Sequence, residues 1–110
     1  MRLPKDFKKR LVEIVSVIPE GRVMSYSQVA AIIGTPRWAR QVGQALRNYR
    51  GNKVIPWWRV INARGRISIG GDPLRPDLQK RLLLKEGVRF TRDETVPKCF
   101  FAVLGGNFSK

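Results

Sequence analysis

The chain has 110 residues, of which 43% are hydrophobic, and this size and composition predict one globular domain over residues 1–110. Its 22 lysines and arginines against 8 acidic residues give a formal charge of +14, which favours a nucleic-acid partner over mere solubility. The lack of histidine and the single cysteine, Cys99, exclude a zinc finger, a Ser-His-Asp arrangement and an internal disulfide, so we expect no catalytic residue of these classes, no metal and no cofactor.

The N-terminal segment predicts an amphipathic helix over residues 5–18. The apolar residues at helical spacing are Phe7, Leu11, Ile14, Val15 and Ile18. Pro19-Glu20-Gly21 then predicts a turn. We find no secretory signal, membrane span or long basic amphipathic helix with an aromatic face, so we expect no membrane association. The lone cysteine fits a reducing compartment, and we expect a cytoplasmic protein in a bacterium and a nuclear one in a eukaryote.

Two helices follow in quick succession. After a short extended segment at residues 22–24, Ser25 and Gln28 form a capping-box pattern at the start of a helix over residues 26–33, which Gly34 ends. Thr35 and Pro36 open a second helix that extends to about residue 48. This pair predicts a helix-turn-helix.

The second half of the chain predicts a polar loop over residues 49–55, a small hairpin or wing, and a last helix. Residues 60–61 and 66–69 are expected to pair across the turn-like segment 62–65, and residues 70–75 are expected to form a loop. Pro76 opens a helix that buries Leu78, Leu82 and Leu83 and ends near Gly87. Residues 88–90 and 100–104 are read as short strand or coil. The predicted fold is therefore mainly α with a small β wing, a winged helix-turn-helix DNA-binding domain.

The helix over residues 36–48 has one apolar face and one basic face. Its inward positions are Ala39, Val42 and Leu46, and its outward positions are Arg37, Arg40, Gln44 and Arg47. Three guanidinium groups on one stripe repel each other unless an anion lies against them, and arginine can bond phosphates or stack on bases. Gly43 beside the stripe would let a backbone approach closely, at a helix cost of about 1 kcal/mol. A solvated face with a packing glycine is the alternative; the charge of the chain favours DNA contact.

The segment Ile55-Pro56-Trp57-Trp58-Arg59-Val60-Ile61-Asn62 resembles the active-site loop of the O6-alkylguanine-DNA alkyltransferases, whose pattern is Pro-Cys-His-Arg-Val. Further matches, in the same order, are Pro19-Glu20-Gly21-Arg22-Val23, Ser25-Tyr26, the helix from Arg37, and Arg81-Leu82-Leu83-Leu84-Lys85-Glu86-Gly87. Trp57 stands in the place of the nucleophilic cysteine and Trp58 in that of the histidine. An indole cannot take up an alkyl group as a thiolate does, so the chain is similar to the alkyltransferase-like proteins.

The resemblance implies a monomeric, non-enzymatic protein that binds O6-alkylguanine in double-stranded DNA through the minor groove and passes the lesion to nucleotide excision repair proteins. Arg40 matches the arginine that replaces the extruded nucleotide, and Tyr26 matches the tyrosine that helps to rotate its phosphate. The implied DNA-binding residues are Tyr26, Arg37, Arg40, Gln44 and Arg47. The implied pocket residues are Tyr26, Trp57, Arg59, Val60, Ser68, Gly70 and Gly71.

Other interpretations remain open at this point. A winged-helix transcription regulator would use the same basic helix for a defined operator, and a residual alkyltransferase would use Cys99. Tyr26, Trp57 and Trp58 can also be read as core aromatics, Trp58 more readily than Trp57. Trp38 is expected to pack inwards, and Cys99 to be a buried, inert thiol.

Overall fold

A computed structural model describes residues 3–68 and 75–102 of the chain. The fold is mainly helical with one two-stranded sheet. Its helices are α1 (Phe7–Ser16), α2 (Tyr26–Ile33), α3 (Ala39–Arg47) and α4 (Arg75–Lys85), its strands are β1 (Met24–Ser25) and β2 (Val60–Ile61), and short 3-10 turns lie at Pro36–Trp38, Trp57–Arg59 and Lys98–Phe100. No helix within the described ranges is long and apolar enough to cross a membrane.

The two strands lie between two apolar clusters. Met24 pairs with Val60 in parallel register, and both side chains belong to the larger cluster with α1, α2 and α3. Val23 and Ile61 belong to the second cluster, with Leu83 of α4. Because successive side chains of an extended chain point to opposite faces, this short sheet supplies side chains to both clusters.

The predicted hairpin is wrong in its pairing. β2 pairs with β1, more than thirty residues earlier in the chain, and residues 66–68 form no strand; residue 69 lies outside the described residues. The turn itself does form, since the Asn62 amide donates to the Arg66 carbonyl and the Gly65 amide donates to the Asn62 carbonyl. Gly65, at φ +81°, accepts a hydrogen bond from the Val96 amide, so the turn is also bound to a segment distant in the chain.

The helix-turn-helix pair begins as its sequence predicts. The Ser25 hydroxyl accepts from the Gln28 amide, and the Gln28 side chain accepts from the Ser25 amide, which confirms the capping box. Gly34 ends α2, with an extended φ of −179° that any residue can adopt; its small size leaves room for the Trp38 ring. Thr35 caps the next segment as expected, but this segment starts as a 3-10 turn and becomes α-helical only at Ala39.

The last helix is rotated from its predicted orientation. Its inward positions are Gln79 and Leu83, whereas Leu78, predicted to be buried, is 47% exposed. The Gln79 amide donates to the Trp58 and Val60 carbonyls at 3.1 and 2.9 Å, so its burial is compensated by hydrogen bonds to the loop and to β2. The helix ends before Gly87, at φ +95°, as predicted.

The C-terminal described segment returns to the strands. Phe101 forms a parallel bridge with Val23, and the Ala102 amide donates to the Val23 carbonyl at 2.8 Å. Cys99 is exposed, so the expectation of a buried thiol is wrong. The side chains that pack against the second cluster are instead those of Phe100, the last residue of the 3-10 turn, and Phe101, which follows it.

Candidate DNA interface and base pocket

One face of α3 forms the wall of an open groove of about 560 Å³. Arg40, Gly43, Gln44 and Arg47 line it at helical spacing, while Val42 and Leu46 on the other face are buried. The opposite wall comes from the start of α2, from the turn after β2 and from Ser68; its residues are Tyr26, Ser27, Asn62, Ala63 and Ser68. None of these described lining residues is acidic, so the groove is suited to an anionic ligand.

A small cavity of about 40 Å³ opens from this groove towards the interior. The two spaces share Tyr26, Gly43, Arg47 and Ser68. Trp57 of the loop before β2 and Gln79 of α4 line the small cavity as well. A Cβ placed on Gly43 would meet the Tyr26 ring at 3.7 Å, so the absence of a side chain there keeps the entrance from narrowing.

A second cavity, of about 290 Å³, lies next to the small one and is more apolar. Ile55 and Leu78 line only this second cavity, whereas Trp57 and Arg75 line both. The Arg75 guanidinium carbon lies 4.1 Å from the centroid of the Trp57 ring, within the range of a cation–π contact. Arg75 therefore stands on the wall that the two cavities share.

The other tryptophan of the loop has a structural role. Trp58 packs against the second cluster, and its Nε1 donates to Oε2 of Glu86 at 2.8 Å. Arg59 holds the same carboxylate through Nε and Nη2, at 3.0 and 2.7 Å, and donates from Nη1 to the Ile18 carbonyl at 2.8 Å. The Gly21 amide supplies a further donor at 3.0 Å. Glu86 thus ties the loop to the turn after α1.

The electrostatics of this cluster keep Glu86 ionised. Burial alone would raise the pKa of its carboxyl group, but hydrogen bonds from Arg59, Gly21 and Trp58, together with the charge of Arg59, hold that pKa below its usual value of 4.5. The side chains of Arg59 and Glu86 are only 14% and 11% exposed, so solvent screens the pair weakly. An indole N–H can hold this carboxylate but cannot carry a proton between groups as an imidazole can.

Most of the residues proposed from the sequence meet at the small cavity or along the groove. Tyr26, Trp57 and Ser68 meet around the small cavity, and Tyr26, Arg40, Gln44 and Arg47 meet along the groove. Arg37 is exposed in the 3-10 turn and does not line the groove as described.

The remaining predicted pocket residues lie elsewhere or are not described. Arg59 turns to Glu86, the Val60 side chain is fully buried in the core, and neither lines the described cavities. Gly70 and Gly71 lie outside the described residues. Sequence reasoning missed Arg75, Gln79 and the carboxylate role of Glu86. The segment carrying Glu86 resembles the family, but its partners become visible only in the fold.

Comparison with known proteins identifies the class of protein. The family model of the 6-O-methylguanine DNA methyltransferase DNA-binding domain matches residues 6–88, and the chain belongs to this family. Among its relatives, the DNA base-flipping protein of Escherichia coli K12 is 44% identical over 90 residues, which cover 80% of this chain and 67% of that protein. Alkyltransferase-like protein 1 of Schizosaccharomyces pombe is 40% identical over 83 residues, covering 76% of this chain and 77% of that one.

Solved structures agree with this assignment. The crystal structure of S. pombe Atl1 in complex with damaged DNA containing O6-carboxymethylguanine matches with a TM-score of 0.79 and 33% identity, over 94% of this chain and 99% of that one. The Mycobacterium tuberculosis O6-methylguanine methyltransferase matches with a TM-score of 0.64 and 32% identity, over 76% of this chain and 49% of that one. The mainly helical fold with its two-stranded sheet is similar to these DNA-binding domains.

Proposed function

We propose that this protein recognises O6-alkylguanine in duplex DNA without repairing it. α3 would enter the minor groove, with Arg40, Gln44 and Arg47 against the DNA, and the damaged base would rotate into the cavity between Tyr26 and Trp57. The α2–α3 pair with the turn after β2 would act as a winged helix-turn-helix. The bound complex, formed by one copy of the chain, would then mark the lesion for nucleotide excision repair proteins.

The observation that carries this proposal is the position of Trp57. It lines the small cavity from the loop position where the related enzymes place their nucleophilic cysteine, and an indole does not accept an alkyl group from O6 of guanine. The one cysteine of the chain, Cys99, is exposed in the C-terminal 3-10 turn and does not line the groove or the cavity as described. The names of the relatives, base-flipping and alkyltransferase-like, support the same function.

Arg40 is proposed to fill the gap that the extruded nucleotide leaves. It is exposed and lines the groove one helical turn before Gly43 and Gln44. Extrusion of a base costs a few kcal/mol and costs less for a poorly paired alkylated guanine, so a guanidinium that stacks in the gap would favour the damaged site. Phosphate contacts alone would raise the affinity for damaged and undamaged DNA equally.

The test compares one duplex carrying guanine or O6-methylguanine at a single position, by fluorescence anisotropy at fixed salt. We expect tighter binding to the modified duplex, and we expect Arg40→Ala to reduce this preference by about fivefold or more, the size of one stacking contact. Arg89→Ala is the charge-matched control, because Arg89 is exposed and does not line the groove as described. It should weaken binding to both duplexes by the same factor.

Two results would refute the proposal. Equal affinity for both duplexes would exclude a pocket that recognises the damaged base, and it would favour a transcription regulator that binds a defined operator. Transfer of a labelled methyl group from the DNA to Cys99 would show an alkyltransferase instead. We expect no transfer and full recovery of O6-methylguanine from the complex.

A further inference from the structure

We propose that Arg75 is a specificity-determining residue, which stands on the shared wall of the two neighbouring cavities and sets the size of the adduct that the pocket accepts. This inference rests on the function proposed above and adds to it a limit on the substrate. The observation behind it is the placement of the Arg75 guanidinium, 4.1 Å from the Trp57 ring and lining both cavities.

The volumes of the two cavities show why the wall between them would limit the size of a bound adduct. The small cavity, at about 40 Å³, is far below the roughly 300–1,000 Å³ of typical small-ligand sites, and the apolar cavity alone is about 290 Å³. Together the two spaces lie at the low end of that range, and the second cavity contributes most of their volume. A base that enters from the groove past Tyr26 and Ser68 would therefore fill the small cavity first, and any larger substituent would have to extend past Arg75.

The position of Trp57 indicates where the substituent on O6 of the bound base would point. In the related enzymes this loop position attacks the alkyl carbon, so the substituent on O6 would point at the Trp57 ring, which Arg75 covers. A methyl group would end at the Trp57 ring. A longer apolar substituent continues into the second cavity, where Ile55 and Leu78 offer an apolar wall, provided that the guanidinium leaves the indole face.

Arg75 also contacts the end of α3. Its Nη1 and Nη2 donate to the carbonyls of Arg47 and Leu46 at the end of α3, both at 3.5 Å, which is long for a hydrogen bond. Arg75 is half-buried. The stacking on Trp57 is a contact that a bulky substituent on O6 would have to replace.

The experiment measures the affinity of the whole chain for three duplexes that carry guanine, O6-methylguanine or O6-benzylguanine at one position, at fixed salt. In Arg75→Ala, the benzyl-to-methyl affinity ratio should rise by about fivefold to thirtyfold, the size of one cation–π contact. Arg81→Ala is the matched control on the same helix. The substitution removes the same charge, and the Arg81 side chain is 75% exposed. It should leave the ratio unchanged.

A second variant tests the route of the substituent. Leu78 is 47% exposed, so Leu78→Asp should fold normally while placing a carboxylate in the apolar cavity. It should lower benzyl binding and spare methyl binding. A normal lesion preference with an unchanged ratio in Arg75→Ala would overturn this inference alone. Equal binding of all three duplexes by the unaltered chain would overturn both the inference and the proposed function.

Discussion

Replacing Glu86 with glutamine should destabilise the fold, although it removes no apolar contact. The carboxylate accepts hydrogen bonds from Gly21, Trp58 and Arg59, and a glutamine side chain offers one oxygen and turns an N–H₂ group towards the remaining donors. Loss of one partner from a buried ion pair costs about 3–5 kcal/mol. Because these side chains are 11–14% exposed and glutamine keeps one acceptor, we expect about 2–3 kcal/mol.

Urea unfolding at neutral pH, followed by tryptophan fluorescence, measures this loss. The matched control is Asp77→Asn, which makes the same chemical change next to Arg81. That pair is 65% and 75% exposed, and we expect a loss of about 0.5 kcal/mol or less. The contrast between the two variants isolates the effect of burial.

The pH dependence provides an independent check. The pKa of Glu86 is lowered in the folded chain, so its stabilising effect is complete above the unfolded-state pKa and disappears as the pH falls through the folded-state value. The difference in stability between the unaltered chain and Glu86→Gln should therefore be constant near neutrality and shrink well below pH 4.5. Equal losses in Glu86→Gln and Asp77→Asn, or a difference that grows in acid, would refute this reasoning.

Three further experiments test other parts of the fold. Ser25→Ala removes half of the capping box and should cost about 1 kcal/mol in urea unfolding, whereas Ser25→Thr should cost less. Gly43→Ala should stabilise the isolated protein by up to about 1 kcal/mol, because the added Cβ meets Tyr26 at an ordinary 3.7 Å; a lower urea midpoint would show that the two helices pack more tightly there. Cys99 should be labelled by a thiol reagent in the native state without prior unfolding, and slow labelling that speeds up in urea would contradict its exposure.

The sequence predicted the parts of this fold that depend on local chemistry. The capping box at Ser25 and the cap at Thr35 use side chains two or three residues from their backbone partners, so a short stretch of sequence contains the whole interaction. The basic face of α3 is equally local. Its inward residues Val42 and Leu46 are buried and Arg40, Gln44 and Arg47 are exposed, as the helical period requires.

The errors arose where the partner is distant in the chain. The turn at Asn62 and Gly65 carries a correct local signal, but the choice between pairing with residues 66–69 and pairing with β1 depends on the packing of two apolar clusters. Gln79 gives no local sign of burial, because the carbonyls it satisfies belong to Trp58 and Val60. Turning Gln79 inwards leaves Leu78 partly in solvent, which explains that error as well.

The candidate site shows the same division. The family resemblance predicted Tyr26, Trp57 and Ser68, which do meet around one cavity. Arg59 belongs to the same loop motif, yet it forms an ion pair with Glu86 and stabilises the loop without lining the cavity as described. Arg75 is not part of any motif recognised in the sequence. It lies over Trp57 only because α4 packs against the loop.

The two neighbouring tryptophans give the candidate pocket a fixed wall on the side of the loop. Trp57 packs against the larger cluster and lines the cavity, while Trp58 packs against the second cluster and is hydrogen-bonded to Glu86. Their rings meet edge to face at 5.9 Å, so the loop cannot shift at Trp57 without disturbing Trp58. A base that stacked on Trp57 would therefore press against a surface held by a buried ion pair. Discrimination between different adducts would then depend on Arg75, which lies against the Trp57 ring and lines the second cavity, rather than on a movement of the loop itself.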